Sequence, residues 1–141
     1  MFTLSRTSPE RVEVVWERVS DLLGHAEGVP LQRVTSDPGP PRLGWRFTPR
    51  TAVGPLGFDD PMVVTVWEPP RRLRIEKVGR VLAGWADISV AALPEGGTRV
   101  TWQEEVVPAS DALARRTRPL FDAAGKVVFG RALDRILRGP H

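Results

Sequence analysis

The stretch from Ser110 to Arg138 constrains this chain more than any other. Read at 3.6 residues per turn, Phe121, Ala124, Gly125, Val128, Phe129, Ala132 and Ile136 fall on one face. Arg115, Arg116, Asp122, Lys126, Asp134 and Arg138 fall mostly on the other. One helix cannot bury its own apolar stripe, so something concave has to cover it. Phe121, Val128, Phe129 and Ile136 are bulky, and burying each is worth about 1.5–3 kcal/mol before chain entropy is counted. Ala124, Gly125 and Ala132 are small and leave a groove, which either lets sheet backbone approach or leaves room for a ligand. Pro119 removes a helical hydrogen bond and crowds the preceding turn. Either the helix kinks there, or the main segment starts at Pro119 and residues 111–118 form a separate turn.

The middle of the chain supplies the cover. Phe2-Thr3-Leu4-Ser5 alternates as a short strand. Ser8-Pro9-Glu10 then reads as a helix start, with Ser8 as N-cap and Pro9 in the first helical position. Val12, Val15, Trp16, Val19, Leu22 and Leu23 keep a helical stripe, with Gly24 as a stop. Ser20-Asp21 offers an earlier end and the cap of a second short helix. Strand patterns follow at Leu31–Thr35, Leu43–Thr48, Met62–Glu68, Arg72–Val78, Trp85–Leu93 and Thr98–Val107. Residues 54–61 read as a loop, Pro69-Pro70 as a break, and Pro94-Glu95-Gly96-Gly97 as a hairpin turn. Connections this short imply an antiparallel meander.

Composition narrows the chemistry. A chain of 141 residues reads as one domain, 1–141, with a real core. No apolar run approaches the roughly 20 residues of a membrane span, and MFTLSRTSPE has no signal-peptide core, so the expected location is cytoplasmic. The absence of cysteine excludes disulfides, thiolate nucleophiles and zinc–sulfur sites. Two histidines, His25 and His141, are too few for a histidine-based metal site without a carboxylate cluster, and none is visible. No cofactor or metal is expected. Net charge is only +3, spread over edges such as Arg71–Arg74 and Arg115–Arg118, which argues against nucleic acid as a partner. There is no GxGxxG, P-loop, GxSxG or HExxH motif.

Three local patterns carry a resemblance. They are Val15-Trp16-Glu17-Arg18-Val19-Ser20-Asp21, Val66-Trp67-Glu68-Pro69-Pro70-Arg71-Arg72-Leu73 and Gly96-Gly97-Thr98-Arg99-Val100-Thr101-Trp102. In this order they span nearly the whole chain, which resembles the START-like superfamily, also called the birch-pollen-allergen or polyketide cyclase/dehydrase superfamily (SRPBCC). The resemblance implies an α+β helix-grip fold. In it a curved seven-stranded antiparallel sheet wraps a long C-terminal helix, with one or two short helices after strand 1 and an apolar cavity between sheet and helix. Members bind lipids, sterols, quinones or polyketides, or act as cyclases or aromatases.

Polar groups on otherwise apolar faces are the candidate chemistry. Glu104 continues the Val100–Trp102 face and Lys77 the Leu73–Ile75 face. In the resembled fold their strands flank Trp85–Leu93. The two side chains could then meet across it or flank a ligand; otherwise both lie at the rim, in water. An inward carboxylate has its pKa raised by burial and lowered by a nearby ammonium, and can work as acid or base. His25 either moves protons at the cavity mouth or is a solvated loop histidine. Arg118 either reaches an anionic group at the entrance or extends past the sheet. The candidate catalytic residues are thus Glu104, Lys77 and His25, and the candidate ligand contacts are Trp45, Phe47, Trp102, Phe121, Gly125 and Val128.

Three functions fit these features. One is binding of a small hydrophobic or aromatic molecule, lipid-like or polyketide-like, by a monomer or homodimer. The second is a cofactor-independent polyketide cyclase or aromatase. The third is an interaction module working through the Arg115/Arg116 face of the last helix. An empty apolar void of 300 Å³ or more would cost about 7 kcal/mol, against a net domain stability of about 5–15 kcal/mol. Any cavity is therefore expected to be small, wet or occupied.

Overall fold

The computed structural model describes residues 1–27, 32–53 and 55–139. Leu31, Gly54 and His141 lie outside the described residues. In chain order the elements are β1 (Phe2–Ser8), α1 (Val12–Val19), α2 (Leu22–Glu27), β2 (Gln32–Ser36), β3 (Arg46–Val53), β4 (Leu56–Asp59), β5 (Met62–Glu68), β6 (Arg72–Lys77), β7 (Leu82–Ala92), β8 (Thr98–Pro108) and α3 (Asp111–Arg138). The sheet runs β1-β8-β7-β6-β5-β3-β2, with β4 paired to β3, and every pairing is antiparallel. It is a curved sheet of seven strands plus one, gripping a long helix. The α+β helix-grip expectation holds, and β4 corrects the reading of residues 54–61 as a loop. Leu56-Gly57-Phe58-Asp59 is too short and Gly-rich to show a strand period on its own, and gains its ladder only from β3.

Two expected helix boundaries move. Ser8 is the last residue of β1, not an N-cap; its Oγ accepts the Glu10 N–H at 3.2 Å, and α1 starts at Val12 after Arg11. The helical stripe breaks at Ser20, and Asp21 Oδ1 accepts the Gly24 N–H at 3.1 Å, so Gly24 lies inside α2 and stops nothing. The last helix is continuous for 28 residues through Pro119, about 42 Å long. Pro119 sits on its exposed side, where the carbonyl that loses its partner is free to meet water.

The core lies between the sheet and α3. Trp45, Leu73, Ile88, Val15, Val19, Val64, Val100 and Leu133 are completely enclosed. Leu133 is the most deeply buried side chain of α3, and the expected stripe omitted it. Ala124 is exposed, and Val128 is 59% exposed. Leu113, Leu120 and Val127 also face solvent, so apolar residues lie on both sides of this helix and periodicity alone misplaces the edge of the buried face, whose Phe129 and Ile136 pack on the core as expected. Helix α3 packs chiefly on β8 and β1, with α1 against it. The concave face over β6, β5 and β3 is left open at one side.

Outside, Asp87 on β7 takes bonds from Arg72 (2.6 Å) and Arg74 (3.4 Å) on β6, and the Arg74 guanidinium lies 4.4 Å above the Trp85 ring. Burial acts to raise the Asp87 pKa, but Arg72 and Arg74 hold the carboxyl below the usual range. This cross-strand lattice fastens β6 to β7, the two strands that floor the interior.

Leu133→Ala is expected to lower stability by about 2–5 kcal/mol, because it opens a cavity in the grip. Val128→Ala should stay within about 1 kcal/mol of wild type. Urea unfolding midpoints at constant slope measure both.

Candidate functional site: the polar end of an apolar cavity

A cavity of about 340 Å³ lies between the sheet and α3. Its walls are apolar and come from Phe47, Met62, Ile75, Ile88, Phe129 and neighbours. Ala86 makes the space. It pairs with Ile75 on β6 and Glu104 on β8, and its methyl leaves the region above it unfilled. Next along β7, Gly84 has φ +137, and a Cβ there would collide with the Glu105 carbonyl oxygen. The partly exposed Val128 lines the mouth.

Three ionisable side chains line this cavity. Lys77 Nζ lies 2.5 Å from Asp60 Oδ2, with only 8% and 10% of the two side chains exposed. Both side chains line the cavity, as does Glu104, which is 6% exposed. Lys77 and Glu104 do flank β7 and both point inward. They do not bond to each other, because Lys77 is bound to Asp60. Burial pushes the Glu104 carboxyl up to about 8; the Lys77 charge and the Trp102 indole N–H pull it down, and the Asp60 charge pushes it up. At neutral pH Glu104 is therefore mainly a neutral carboxylic acid. The Trp102 N–H lies near enough to act on that carboxyl without reaching hydrogen-bonding geometry. Asp60 Oδ1, Trp102 Nε1 and Glu104 Oε2 are all buried with no hydrogen-bond partner among the described residues. A buried polar group left unpaired costs about 1–3 kcal/mol. All three belong to residues that line the cavity, at its polar end.

His25 also lines the cavity. Its Nε2 lies 2.6 Å from the Arg18 carbonyl oxygen, and a carbonyl can only accept, so Nε2 carries the hydrogen and Nδ1 keeps the lone pair. Burial pushes the His25 pKa down, against the Arg18 bond and the Asp21 charge, so the ring is neutral at pH 7.

The structure brings Glu104, Lys77, His25, Phe47, Trp102 and Val128 to this cavity and leaves out Trp45, Phe121 and Gly125. Trp45 is completely enclosed behind Phe47, its ring 5.3 Å away, and its N–H is spent on the Asp37 carbonyl. Phe121 is half-buried on α3, outside the cavity lining. Gly125 serves close packing: a Cβ there would run into the Phe2 ring. Arg118 extends past the cavity and pairs with Glu105 at 3.1 Å. The omission from sequence reasoning is Asp60. Its neighbour Lys77 is set opposite Met62 only after a bulge between Val64 and Val66 shifts the β5–β6 register, and no residue in that run announces the bulge.

No family model and no curated protein sequence matches this chain. Solved structures do. The chain is similar to norcoclaurine synthase from Thalictrum flavum in complex with dopamine and hydroxybenzaldehyde, with a TM-score of 0.70 at 8% identity, over 99% of this chain and 87% of that one. It is similar to Ara h 8.0201, with a TM-score of 0.64 at 13% identity over 98% and 97%. It is also similar to protein CV1439 from Chromobacterium violaceum, with a TM-score of 0.68 at 16% identity over 99% and 98%.

The fold is a helix grip. At such identities the likeness is one of backbone, and the side chains of this helix-grip cavity have to speak for themselves. Among the described residues no three His, Asp or Glu side chains gather as metal ligands, and Lys77 sets a positive charge beside Asp60 and Glu104. No described helix is long and apolar enough to cross a membrane.

The Glu104 carboxyl has a definite pH signature. The folded chain keeps this proton to about pH 8, whereas the ordinary value is 4.5. Between those values the folded state binds the extra proton, so stability is full below the lower value and falls as pH rises. The slope is up to about 1.4 kcal/mol per pH unit, and the contribution is gone above about pH 8. Glu104→Gln should flatten this slope in urea midpoints taken from about pH 5 to about pH 9. Lys77→Met, which strands the buried Asp60, should cost about 3–5 kcal/mol.

Proposed function

We propose that the protein binds a small hydrophobic or aromatic molecule, lipid-like or polyketide-like, in the cavity between the sheet and α3, with a polar group of the ligand at Asp60, Trp102 and Glu104. One observation carries the reading: an otherwise apolar cavity is lined at one end by Asp60, Lys77, Trp102 and Glu104, and three of these side chains keep a buried polar atom without a partner among the described residues. An apolar wall supplies affinity through area removed from water, and a few fixed polar groups set orientation. Trp102 and Phe129, with ring centroids 5.8 Å apart, give a flat ligand aromatic surface to lie against. That norcoclaurine synthase, of like fold, is seen with dopamine and hydroxybenzaldehyde supports an aromatic ligand.

A second reading, a cofactor-independent cyclase or aromatase, draws on a different observation. His25 and Glu104 line the same cavity, one a neutral base and the other a neutral acid near pH 7. Two groups with pKa values set apart by their surroundings are the equipment for moving a proton to and from a bound carbonyl compound. In this reading Glu104→Gln keeps ligand affinity and lowers turnover by roughly 100-fold or more. The binding-only reading has no turnover to lose.

Binding is tested at the mouth. The wild-type protein should take up 1-anilinonaphthalene-8-sulfonate saturably, at one site per chain, read by its fluorescence. Val128→Trp should weaken that uptake by roughly tenfold while the melting temperature stays near wild type, since Val128 is exposed. No saturable uptake, or uptake indifferent to this substitution, would overturn the reading.

A further inference from the structure

The outer side of α3 carries a pattern that its packing on the sheet does not use. Leu113, Leu120 and Val127 are 53%, 69% and 54% exposed. They recur every seven residues, a spacing that keeps them within about 40° of one another around the helix. Ala124, one turn after Leu120, is exposed beside them, as is Val128. Single exposed apolar residues need no explanation, but a continuous band does. Val128 carries this band to the cavity, whose mouth it lines. At its N-terminal end α3 meets the loop between β6 and β7, where the Ala109 N–H donates to the Val81 carbonyl at 3.0 Å. Val81 is itself exposed, and its neighbour Leu82 lines the cavity.

Charge is one-sided along the same helix. From Ala112 to Phe121 there are three arginines and no acid. Arg118 is taken by Glu105 at 3.1 Å. Asp122 turns to the Met1 ammonium at 2.8 Å. Arg115, Arg116 and Lys126 are exposed and pair with no acid among the described residues, and the same is true of Arg80 in the β6–β7 loop. Apolar side chains beside unpaired cations fit a partner that is apolar and anionic at once. A second copy laid on this face would bring the same cations and no anion. A bilayer with anionic lipids supplies both needs, acyl chains for Leu120 and Val127 and phosphates for Arg115, Arg116 and Lys126.

We propose that this face of α3 docks on the surface of an anionic lipid bilayer, with the cavity mouth at Val128 set beside the lipid. A hydrophobic ligand then passes between bilayer and cavity with little exposure to water. The docking stands on the surface alone, and only the passage of ligand rests on the binding reading above.

The test is sedimentation with vesicles of phosphatidylcholine, alone or with about one third phosphatidylglycerol. The wild type should partition onto the anionic vesicles roughly tenfold or more better than onto the neutral ones, and raising salt from about 0.1 M to about 1 M should release most of it. Arg115→Glu with Arg116→Glu should weaken partitioning by roughly tenfold or more. Leu120→Ser with Val127→Ser should weaken it by roughly fivefold or more. Both pairs should melt near the wild-type temperature, because all four side chains are exposed. Arg33→Glu with Arg71→Glu makes the same change in net charge on β2 and on the β5–β6 turn, and should stay within about twofold of the wild type. Absence of binding to anionic vesicles overturns the proposal. So does a loss as large in the Arg33/Arg71 pair as in the Arg115/Arg116 pair, which would make net charge the cause. Indifference to the Leu120/Val127 pair also overturns it, leaving only diffuse electrostatic attraction. A dimer in solution that the Leu120/Val127 pair dissolves, without vesicle binding, would give the face to a second copy instead. Loss of vesicle binding with saturable dye uptake intact removes the docking and leaves the ligand reading standing. Vesicle binding without such uptake leaves the docking standing and removes the passage of ligand.

Discussion

Lys77 brings one positive charge into an interior that already holds two carboxyl groups, and the fold gives that charge to Asp60. The rest of the site's chemistry follows from this allocation. Two opposite charges in direct contact beneath a largely apolar lining meet much of each other's desolvation cost, while on Glu104, across β7, the Lys77 charge pulls the pKa down and the Asp60 charge pushes it up. Burial of Glu104 itself makes the protonated state the less costly one. Had the β5–β6 register run without its bulge, Asp60 would not stand where it does beside Lys77.

The cavity exists because the grip is lopsided. Helix α3 lies mainly over β8 and β1, with Leu133 and the half-buried Phe129 as its anchors, and α1 fills the far side. At one end of β5, Trp16 of α1 comes down onto Trp67, and the cavity lies at the other end, by Met62, Ile75 and Lys77. Phe2, Trp102 and Phe129 form an aromatic wall along this boundary, with neighbouring ring centroids about 6 Å apart. Ala86 keeps the floor low on β7, and Gly84 lets the β8 backbone at Glu105 come close. An apolar void of this volume would cost about 8 kcal/mol if dry and closed. Its partly exposed mouth and unpaired polar atoms make solvent or a ligand the natural filling.

Much of the fold was legible because its signals are local. Alternation in Met62–Glu68, Arg72–Lys77 and Thr98–Pro108, turn residues between them, and a long helical tail are enough to read an antiparallel sheet around a helix. The inward phase of Glu104 and Lys77 was also readable, since each continues an apolar face at period 2. The site was legible only in part. Trp45 and Phe47 share a face, yet one stands behind the other, and no period distinguishes front from back. Gly125 offered a groove that Phe2, more than a hundred residues away in sequence, fills.

The sequence by itself determined most of the elements and the inward phase of the long strands, because a strand period is a property of a few consecutive residues. It also determined that no thiol takes part in the chemistry, because the chain has no cysteine. Tertiary structure alone decided that Lys77 belongs to Asp60, that Glu104 keeps its proton, and that the helix covers only part of the sheet. Those outcomes depend on register, on distances between residues remote in sequence, and on burial. All three come into being only when the chain closes on itself.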